Sequence, residues 1–496
     1  MSTRVGGRQR HGEEVDEFER EELLRELKHD YSSSSEGIVP PEERRPRRHH
    51  IFLWITFYAG LAYIFLGFTF YEGGFSLPKI VVVNSIAIVT YLAYSIPSGY
   101  LGAKTGQTYS LLTRSVFGLV GSAIISVFVL VTPLGWTGFQ ANLLAQVYDG
   151  LYGWGFVVGI GVIIAVVGIV NNVLGFTGIS LFARYVAAPL IILWVLYLVI
   201  KGLVQTSGHV LTASPKTDSP ISFLFALTLA LGFVVWGNEA DVFRYAKPQK
   251  SYIVPPLAIA LNLGLLVFTT GGWILAARSG LGSGDFGPAI EYMTTYALFG
   301  FAWLTFIVTT AAQIAINDAN YYQSLNGGQN LIGGWRRWRR WYFCMILAAA
   351  GGFAAWLIPH TENGFFKVAA FLAVTVPCGT VIMCVDRFVL PRLFKLERRY
   401  DRVPSYREIS LGNWPAIAAM LIAVAFGAYG TGLFSFLGED PTTLWGYAPA
   451  EAWVMAGGLY LGFVAVVRRM PNARGVLGFA SFEKERITDQ EAVPTA

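Results

Sequence analysis

Residues 102–106 read GAKTG and residues 110–118 read SLLTRSVFG, and this glycine-rich, basic stretch separates two long apolar segments. The apolar segments cover 80–101 and 119–141, and each has the length of roughly 20 residues that a membrane-spanning helix needs. A short polar connection between two such segments is typical of a polytopic membrane protein. The stretch therefore predicts two spanning helices joined by a loop at the membrane surface.

The composition indicates that lipid surrounds most of the chain. Of the 496 residues, 54% are hydrophobic and 14% are charged, whereas a soluble domain carries about 25% charged residues. We predict an all-α polytopic membrane protein with about twelve spanning helices. The candidate windows are 51–71, 80–101, 119–141, 155–175, 180–200, 221–238, 253–277, 298–323, 341–358, 365–385, 413–437 and 448–467.

Two polar tails flank a single membrane domain. Residues 1–50 are rich in Arg, Glu and Ser and contain no apolar run, so we expect a disordered cytoplasmic tail rather than a secretory signal. The membrane domain covers 51–467, and residues 468–496 form a second cytoplasmic tail.

Lys and Arg are distributed unevenly over the loops, and this predicts the orientation. Four lie at 336–340 and seven between 387 and 407, on the same side as the N-terminal tail. Because positive loops stay in the cytoplasm, we expect both termini there, with the protein multi-pass in the plasma (inner) membrane. The net charge of +5 reflects this bias, and since no basic folded face is evident, we expect no nucleic-acid partner. The opposite loops hold only Lys79, Lys201, Lys216 and Arg278.

Glycines interrupt several spans. Gly60 and Gly67 lie in the first span, and Gly232 and Gly237 lie in the sixth. Broken helices are tolerated at membrane depth where protein or a watery cavity satisfies the freed backbone groups. Matching breaks in two halves of a transporter mark its binding site. The alternative is that each glycine allows close packing of helices.

The third span carries an indole and an amide on one helical face. Trp136 and Gln140 are four residues apart, which places both side chains on the same side of a helix. An indole can stack on a flat heteroaromatic ring while an amide pairs with the edge of that ring. The alternative is an interhelical hydrogen bond beside a tryptophan that only packs.

The eighth span has a polar face along its whole length. Ionisable groups within spans are by default pathway or binding residues, so a functional interpretation is favoured over a structural hydrogen-bond network. The residues of this face are Thr309, Gln313, Asn317, Asn320, Tyr321 and Ser324, with Asp318 beside them.

Charged residues follow the sixth span. Asp241 and Arg244 are expected at the cytoplasmic interface, where they form either an ion pair or gate or a solvated helix end. Glu239 lies deeper and can carry a proton if it is buried.

Three functional classes are compatible with a membrane protein of this kind. A secondary transporter accounts for broken helices and a polar midplane. A channel would need a repeated filter, and a membrane enzyme would need a convergent set of His, Asp or metal ligands, whereas no histidine falls within the predicted spans. We therefore expect a transporter rather than an enzyme, with no cofactor and no metal centre.

The opening stretch closely resembles the cytosine permease branch of the nucleobase:cation symporter family (purine-cytosine permeases). The resemblance extends over residues 51–467, and further motifs keep the order and spacing of that family. They are the double glycine of Glu72-Gly73-Gly74, Gly135-Trp136 with Gln140, the element DVFRYAK at 241–247, and the pair Asn317-Asp318.

The resemblance implies a fold and an activity. The fold would be a five-plus-five inverted repeat with broken helices 1 and 6, plus two further helices. The activity would be import of a nucleobase or a related small heterocycle by alternating access coupled to a cation. Alternatives are a transporter of the same fold for another solute, such as a vitamin or an amino acid derivative, or a non-transporting sensor. We expect a monomer or a weak homo-oligomer.

The same resemblance assigns the solute site. Trp136 would stack on the ring, and Gln140 and Asn317 would read its amide edge, with Gln313 on the same polar face. A break in the first helix near Phe65, Leu66 and Gly67 would complete the site.

Two departures from the family pattern bear on the substrate and the ion. Where the family has an aromatic residue, this chain has Gly232 with Phe233 next to it. Where sodium-coupled members have two threonines, this chain has Ala315 and Ile316, which offer no side-chain oxygen to an ion. We therefore predict coupling to protons carried by Asp318 or Glu239, with sodium as the alternative.

Overall fold

A computed structural model describes residues 38–213, 223–237, 239–332, 340–360, 364–400, 402–404, 407–431 and 447–481. Over these ranges the chain forms helices joined by loops and contains no strand, which confirms the predicted all-α class. Seven of the described helices are long and apolar enough to cross a membrane, or up to nine if each of two bent helix pairs is one span. The structure also describes two shorter apolar helices, Val157–Val173 and Trp414–Gly430. The number of apolar helices is therefore consistent with the twelve or so spans expected.

The helices follow the predicted windows closely. Those of the first half are α1 (Arg47–Phe57), α2 (Leu61–Glu72), α3 (Leu77–Thr105), α4 (Tyr109–Tyr152), α5 (Val157–Val173) and α6 (Gly175–Gln205). Those of the second half are α7 (Phe223–Val234), α8 (Ala240–Phe243), α9 (Lys250–Ser279), α10 (Phe286–Ala297), α11 (Ala302–Ile332), α12 (Arg340–Leu357), α13 (Gly364–Phe388), α14 (Trp414–Gly430) and α15 (Ala448–Val467).

The predicted tails lie partly outside the described ranges. Residues 1–37 and 482–496 are not described, so the expected disorder of the first tail is not tested. Residues 38–46 pack against the bundle, and Arg47 already begins α1. The end of the bundle that holds Arg44, Lys104, Arg244 and Arg398 is called the basic end below.

The first span is broken between α1 and α2, which meet at an angle of 48°. The break lies at Tyr58–Gly60, between the end of α1 and the start of α2. A Cβ at Gly60 would come within 2.4 Å of Cδ1 of Ile316, so this position requires glycine. The expected break near Phe65–Gly67 is wrong, since these residues lie inside α2. A Cβ at Gly67 would lie 2.3 Å from the carbonyl oxygen of Thr269, so this glycine serves helix packing instead.

The sixth span is broken between α7 and α8. Gly237 adopts a left-handed φ of 81°, and a Cβ there would lie 2.5 Å from Cγ1 of Val376. Its carbonyl accepts a hydrogen bond from the hydroxyl of Thr380, and its amide donates to Glu239 Oε1 at 3.0 Å. The groups freed by this break are thus satisfied by protein, as membrane burial requires.

The basic stretch that separates the second and third spans is itself mostly helical. α4 starts at Tyr109 and bends at Gly118, where φ is 70°. The amides released by this bend, those of Leu119 and Val120, donate to the carbonyls of Ser410 and Leu411 at 3.0 and 2.9 Å. The stretch therefore forms the first turns of α4, and the segment that contains Ser410 and Leu411 holds the bend in place.

A π-helical turn in α9 supports the first break. The turn covers Asn262–Phe268, and a Cβ at Gly264 would lie 2.2 Å from the carbonyl oxygen of Tyr58. The side-chain amide of Asn84 donates to the carbonyl of Leu265 at 2.5 Å. Such turns inside helices are frequent at functional sites, and this one packs directly against Tyr58 at the first break.

Candidate functional site

A small buried cavity lies between the two breaks. Its volume is about 30 Å³, which is room for roughly two water molecules. Both broken spans, α4, α11 and α13 contribute to its wall. The lining residues are Phe57, Ala62, Tyr63, Trp136, Gln140, Phe233, Val235, Trp236, Ile316, Asn320, Gln323 and Leu372.

Aromatic rings form two sides of the cavity. Trp136 and Phe233 meet edge to face with ring centroids 5.8 Å apart. Phe57, before the first break, stacks on Trp236, within the second break, at 4.8 Å and 13°. Rings from both broken spans thus close the cavity, and movement of either break would change its shape.

Amide groups form the remaining polar side. The Nε2 of Gln313 donates to Oε1 of Gln140 at 2.7 Å and to its carbonyl oxygen at 3.1 Å. The Nδ2 of Asn320 donates to Oδ1 of Asn317 at 3.3 Å. Among the described residues, Gln313 Oε1 and Asn317 Nδ2 have no hydrogen-bond partner, and each unmet buried group costs about 1–3 kcal/mol. Both unpaired groups lie directly behind the cavity wall, bonded to Gln140 and Asn320, which line it.

The structure brings some of the predicted solute residues together. Trp136, Gln140 and Phe233 line the cavity, and Gln313 is bonded to Gln140 behind the wall. Asn317 does not line the cavity but holds Asn320, which does.

The other predicted solute residues lie elsewhere. Phe65 faces a separate cavity and stacks on Phe286 at 5.6 Å. Leu66 is fully buried within the helix packing, and Gly67 packs against α9. A Cβ at Gly232 would meet Ala369 at 3.3 Å, so Gly232 packs against α13 while its neighbour Phe233 reaches the cavity.

Several wall residues were not singled out by the sequence. Phe57, Tyr63 and Trp236 border the two breaks, and their aromatic character is unremarkable within an apolar span. Gln323 lies three residues after Asn320 on the polar face of α11, so helical spacing alone would have included it.

Asp318 faces away from the cavity. Its Oδ2 accepts from Nδ2 of Asn171 at 2.8 Å, and its backbone carbonyl accepts from Nδ2 of Asn172 at 3.0 Å. Both asparagines belong to α5. The carboxyl group is fully buried and its hydrogen-bond donors are neutral amides.

Glu239 is fully buried beside the second break. Its Oε1 accepts from the hydroxyl of Tyr91 at 2.8 Å as well as from the amide of Gly237. Tyr91 could not be selected from sequence, since a tyrosine in a span usually only packs.

The residues that replace the threonines of sodium-coupled members lie near the first break. Ile316 lines the cavity and fills the space above Gly60, and Ala315 is buried. Neither side chain presents an oxygen atom. The nearest buried side-chain oxygen to Gly60 is Oε1 of Gln313, which would lie 3.0 Å from a Cβ there.

Asp241 and Arg244 are buried at the basic end, with exposures of 0% and 2%, so the solvated helix end is wrong. The backbone amide of Tyr109 donates to Oδ1 of Asp241 at 2.7 Å. Nη2 of Arg244 donates to the hydroxyl of Tyr322 at 3.0 Å, and that hydroxyl lies 3.3 Å from the carbonyl of Asp241. These contacts tie α8 to α4 and α11.

The segment before α1 covers these residues. Nη1 of Arg44 donates to the carbonyl oxygens of Ala103 and Ala246 at 2.8 Å each, and also to that of Arg244. The amide of Arg45 donates to the carbonyl of Tyr245 at 2.7 Å. A cation is favourable where helices end in unpaired carbonyls, so Arg44 closes the basic end by joining α3 to the chain after α8.

The sequence matches one family model over most of its length. A family model described as permeases for cytosine/purines, uracil, thiamine and allantoin matches residues 38–443. The cytosine permeases of Escherichia coli strains K12 and O6:H1 are each 27% identical over 397 residues, which is 75% of this chain and 86% of theirs.

Comparisons of structure agree on the fold. The closed conformation of Mhp1, a nucleobase-cation-symport-1 family transporter with bromovinylhydantoin bound, gives a TM-score of 0.66 at 18% identity, covering 89% of this chain and 99% of that one. A Na⁺-coupled sialic acid symporter in a substrate-bound outward-open state gives 0.60 at 11% identity, covering 89% and 96%. The likeness confirms the predicted transporter fold with broken first and sixth spans.

Proposed function

The chain belongs to the family of permeases for cytosine/purines, uracil, thiamine and allantoin, and from this membership we propose that it imports a nucleobase or a related small heterocycle by cation-coupled alternating access, with protons favoured over sodium. Family and fold make it a secondary transporter in a membrane rather than an enzyme. The identity of the solute, the coupling ion and the direction of transport are our proposals.

One observation carries the proposal for the solute. Trp136, Phe233 and Gln140 converge on a single cavity between the two broken spans. Rings suit a flat aromatic solute, and paired amides suit a lactam or amidine edge. A site of this kind rejects analogues that lack the matching group, because its buried polar groups would then lose their partners. We propose that the protein works as a monomer or a weak homo-oligomer.

The proposal of proton coupling rests on the polar groups near the breaks. The side chains of Ala315 and Ile316 supply no oxygen ligand, whereas Glu239 and Asp318 are buried carboxyl groups with neutral donors. Ionisable groups inside a membrane domain are functional candidates by default. Each could bind a proton in one conformation and release it in another.

The proposed orientation follows the charge of the basic end. We place this end, and with it both termini, in the cytoplasm, because positive residues are retained there. In a bacterial cell the membrane would be the plasma (inner) membrane.

Transport into proteoliposomes tests the proposal. Saturable uptake of one labelled heterocycle, driven by an inward pH gradient and competed by cytosine, uracil, adenine or allantoin, is the expected result. Uptake that none of these competes would favour a different solute, such as a vitamin or an amino acid derivative. Binding without flux would favour a sensor, and strict dependence on sodium at fixed pH would exclude proton coupling.

A further inference from the structure

Three side chains form a buried chain of hydrogen bonds between the two breaks. The hydroxyl of Tyr91, in α3, donates to Oε1 of Glu239 at 2.8 Å. The hydroxyl of Tyr58, at the end of α1, lies 2.7 Å from that of Tyr91 and 2.8 Å from the carbonyl oxygen of Val234. Val234 ends α7, so its carbonyl has no partner within the helix. The chain of bonds thus joins the first break to both sides of the second.

The number of protons gives this chain a direction. An ionised carboxylate only accepts hydrogen bonds, so the hydroxyl of Tyr91 donates to Glu239. The single hydroxyl proton of Tyr58 is then shared between two acceptors, the hydroxyl of Tyr91 and the carbonyl oxygen of Val234. A protonated carboxyl group can donate to Tyr91. Tyr91 then donates to Tyr58, and Tyr58 donates to Val234. Protonation of Glu239 therefore commits Tyr58 to the end of α7.

The surroundings of Glu239 supply no cation among the described residues. Its Oε2 has no hydrogen-bond partner there. Asp241, in α8, accepts from the amide of Tyr109, and Arg244, directly after α8, donates to the hydroxyl of Tyr322. Burying a carboxylate without a cation is costly, and a proton removes that cost. The groups that face Glu239 are Tyr91, Tyr94 and Ser98 from α3, Tyr58 from α1, Tyr109 from α4 and Cys384 from α13.

We propose that Tyr91 and Tyr58 transmit the protonation state of Glu239 to the first span, so that one proton bound at Glu239 stabilises the closed arrangement of both breaks around the cavity. The inference rests on the proposed proton coupling and selects Glu239 over Asp318 as the carrier. Glu239 holds the proton, and the two tyrosines are positioning residues.

The link to the cavity is short. Phe57 precedes Tyr58 directly, and Trp236 lies between Val234 and Glu239; these two rings stack in the cavity wall. A bond that fixes Tyr58 to α7 therefore also fixes the wall that encloses a solute. Asp318 has no comparable path, since its partners Asn171 and Asn172 belong to α5.

Thermodynamic linkage then sets the sign of the effect. If a proton favours the closed arrangement, a solute enclosed by that arrangement favours proton binding by the same factor. Solute affinity should fall as the pH rises, by roughly 5- to 150-fold if the coupling is of ordinary size.

The hydrogen-bonded series Glu239–Tyr91–Tyr58 is called the relay below. Substitutions in the full-length protein in proteoliposomes test it. In Glu239→Gln we expect solute affinity to be independent of pH, exchange of internal for external solute to persist, and uptake driven by a pH gradient to be lost. In Tyr91→Phe, which keeps the ring, we expect most of the pH dependence of affinity to disappear. Tyr94→Phe is the matched control, because Tyr94 is buried on the same helix and its hydroxyl has no hydrogen-bond partner among the described residues; it should behave as the wild type.

A second readout needs no solute. Infrared difference spectra between low and high pH should show a protonated carboxyl band that is absent in Glu239→Gln and shifted in Tyr91→Phe, since its hydrogen bond to Tyr91 sets its frequency. The relay is overturned if the carboxyl band is still present in Glu239→Gln, or if its frequency in Tyr91→Phe is the same as in the wild type. Loss of pH dependence in Asp318→Asn with retention in Glu239→Gln does so as well. If the band behaves as expected but no heterocycle binds, the relay stands and the proposed solute is wrong.

Discussion

The side-chain amides of Gln140 and Gln313 are hydrogen-bonded across the third and eighth spans, with Nε2 of Gln313 2.7 Å from Oε1 of Gln140. Gln140 lines the cavity and Gln313 lies behind it, so the second amide fixes the orientation of the first. Because Oε1 is occupied by Gln313, the amide group of Gln140 is directed to offer its N–H atoms to a solute. The pair therefore sets which edge of a heterocycle the site accepts.

Replacing Gln313 by Leu should release Gln140 and weaken solute binding. A lost hydrogen bond that leaves a buried group unpaired costs about 1–3 kcal/mol, so we expect an affinity lower by roughly 5- to 150-fold. Calorimetry or a binding assay on the purified protein measures this. Gln313→Leu protein that stays folded and binds a heterocycle with unchanged affinity would contradict the assigned role.

Trp136→Ala and Asn317→Ala should abolish uptake while the protein remains folded in membranes. Stacking of a base on an aromatic ring contributes roughly 1–3 kcal/mol, and Asn317 holds Asn320 in the cavity wall. Radiolabelled uptake checks both variants, and Trp136→Phe should retain part of the activity. Trp303→Ala is the control, since Trp303 is on α11 with 59% exposure. Unchanged uptake in both test variants would refute the site.

Gly60→Ala and Gly237→Ala should each lower stability and transport. A Cβ at these positions would come within 2.4 Å of Ile316 and 2.5 Å of Val376, and overpacking of this kind typically costs about 1–3 kcal/mol. The midpoint of thermal unfolding in detergent measures the effect. Gly458→Ala, in α15, meets nothing within 4 Å and should leave the midpoint unchanged. Equal midpoints for all three variants would show that the breaks do not depend on glycine.

Arg44→Ala should open the basic end. The guanidinium group joins the end of α3 to the chain after α8 through three carbonyl oxygens, so its removal leaves these carbonyls to water. We expect faster thiol labelling of a cysteine introduced at the buried Ser110, in protein whose native cysteines are replaced. Arg47→Ala, at an exposed neighbour, serves as the control. A labelling rate that is the same in Arg44→Ala and Arg47→Ala would exclude a closing role for Arg44.

The sequence predicted the fold well because hydrophobic length and loop charge depend on the membrane and not on which helices touch. It could not locate the first break. Neither Gly60 nor Gly67 has room for a Cβ. Gly60 lies at the break of the first span, whereas Gly67 allows α2 to pack closely against α9. The residue type is the same in both cases, so the sequence does not distinguish the two roles. Only the neighbours, Ile316 in one case and Thr269 in the other, make the difference visible.

The polar face of α11 shows a similar limit. Helical spacing groups Gln313, Asn317 and Asn320, and of these Asn320 lines the cavity while the other two lie behind its wall. Adjacent residues on a helix point in directions about 100° apart. Asp318 therefore turns to α5 although it follows Asn317 directly. Tyr58 and Tyr91 could not be selected at all, because their role depends on two hydroxyl groups meeting across different helices.

The ion pair of Arg398 with Asp386 should matter far more for stability than the pair of Arg402 with Glu408. The first pair has N···O at 3.0 Å with 2% exposure of each side chain, and Arg398 also donates to the carbonyls of Leu477 and Gly478. Removing one partner of a buried pair leaves an uncompensated charge at a cost of about 3–5 kcal/mol.

The second pair is 47% and 28% exposed, and such pairs contribute about 0–1 kcal/mol. Arg398→Met should therefore lower the thermal unfolding midpoint markedly, whereas Arg402→Met should change it little. Because replacement of Asp386 by Asn removes the stranded charge, Arg398→Met combined with Asp386→Asn should recover part of the loss. A double variant less stable than Arg398→Met alone would show that Asp386 acts mainly through its bonds to the hydroxyls of Tyr400 and Tyr460, and not through the charge of Arg398.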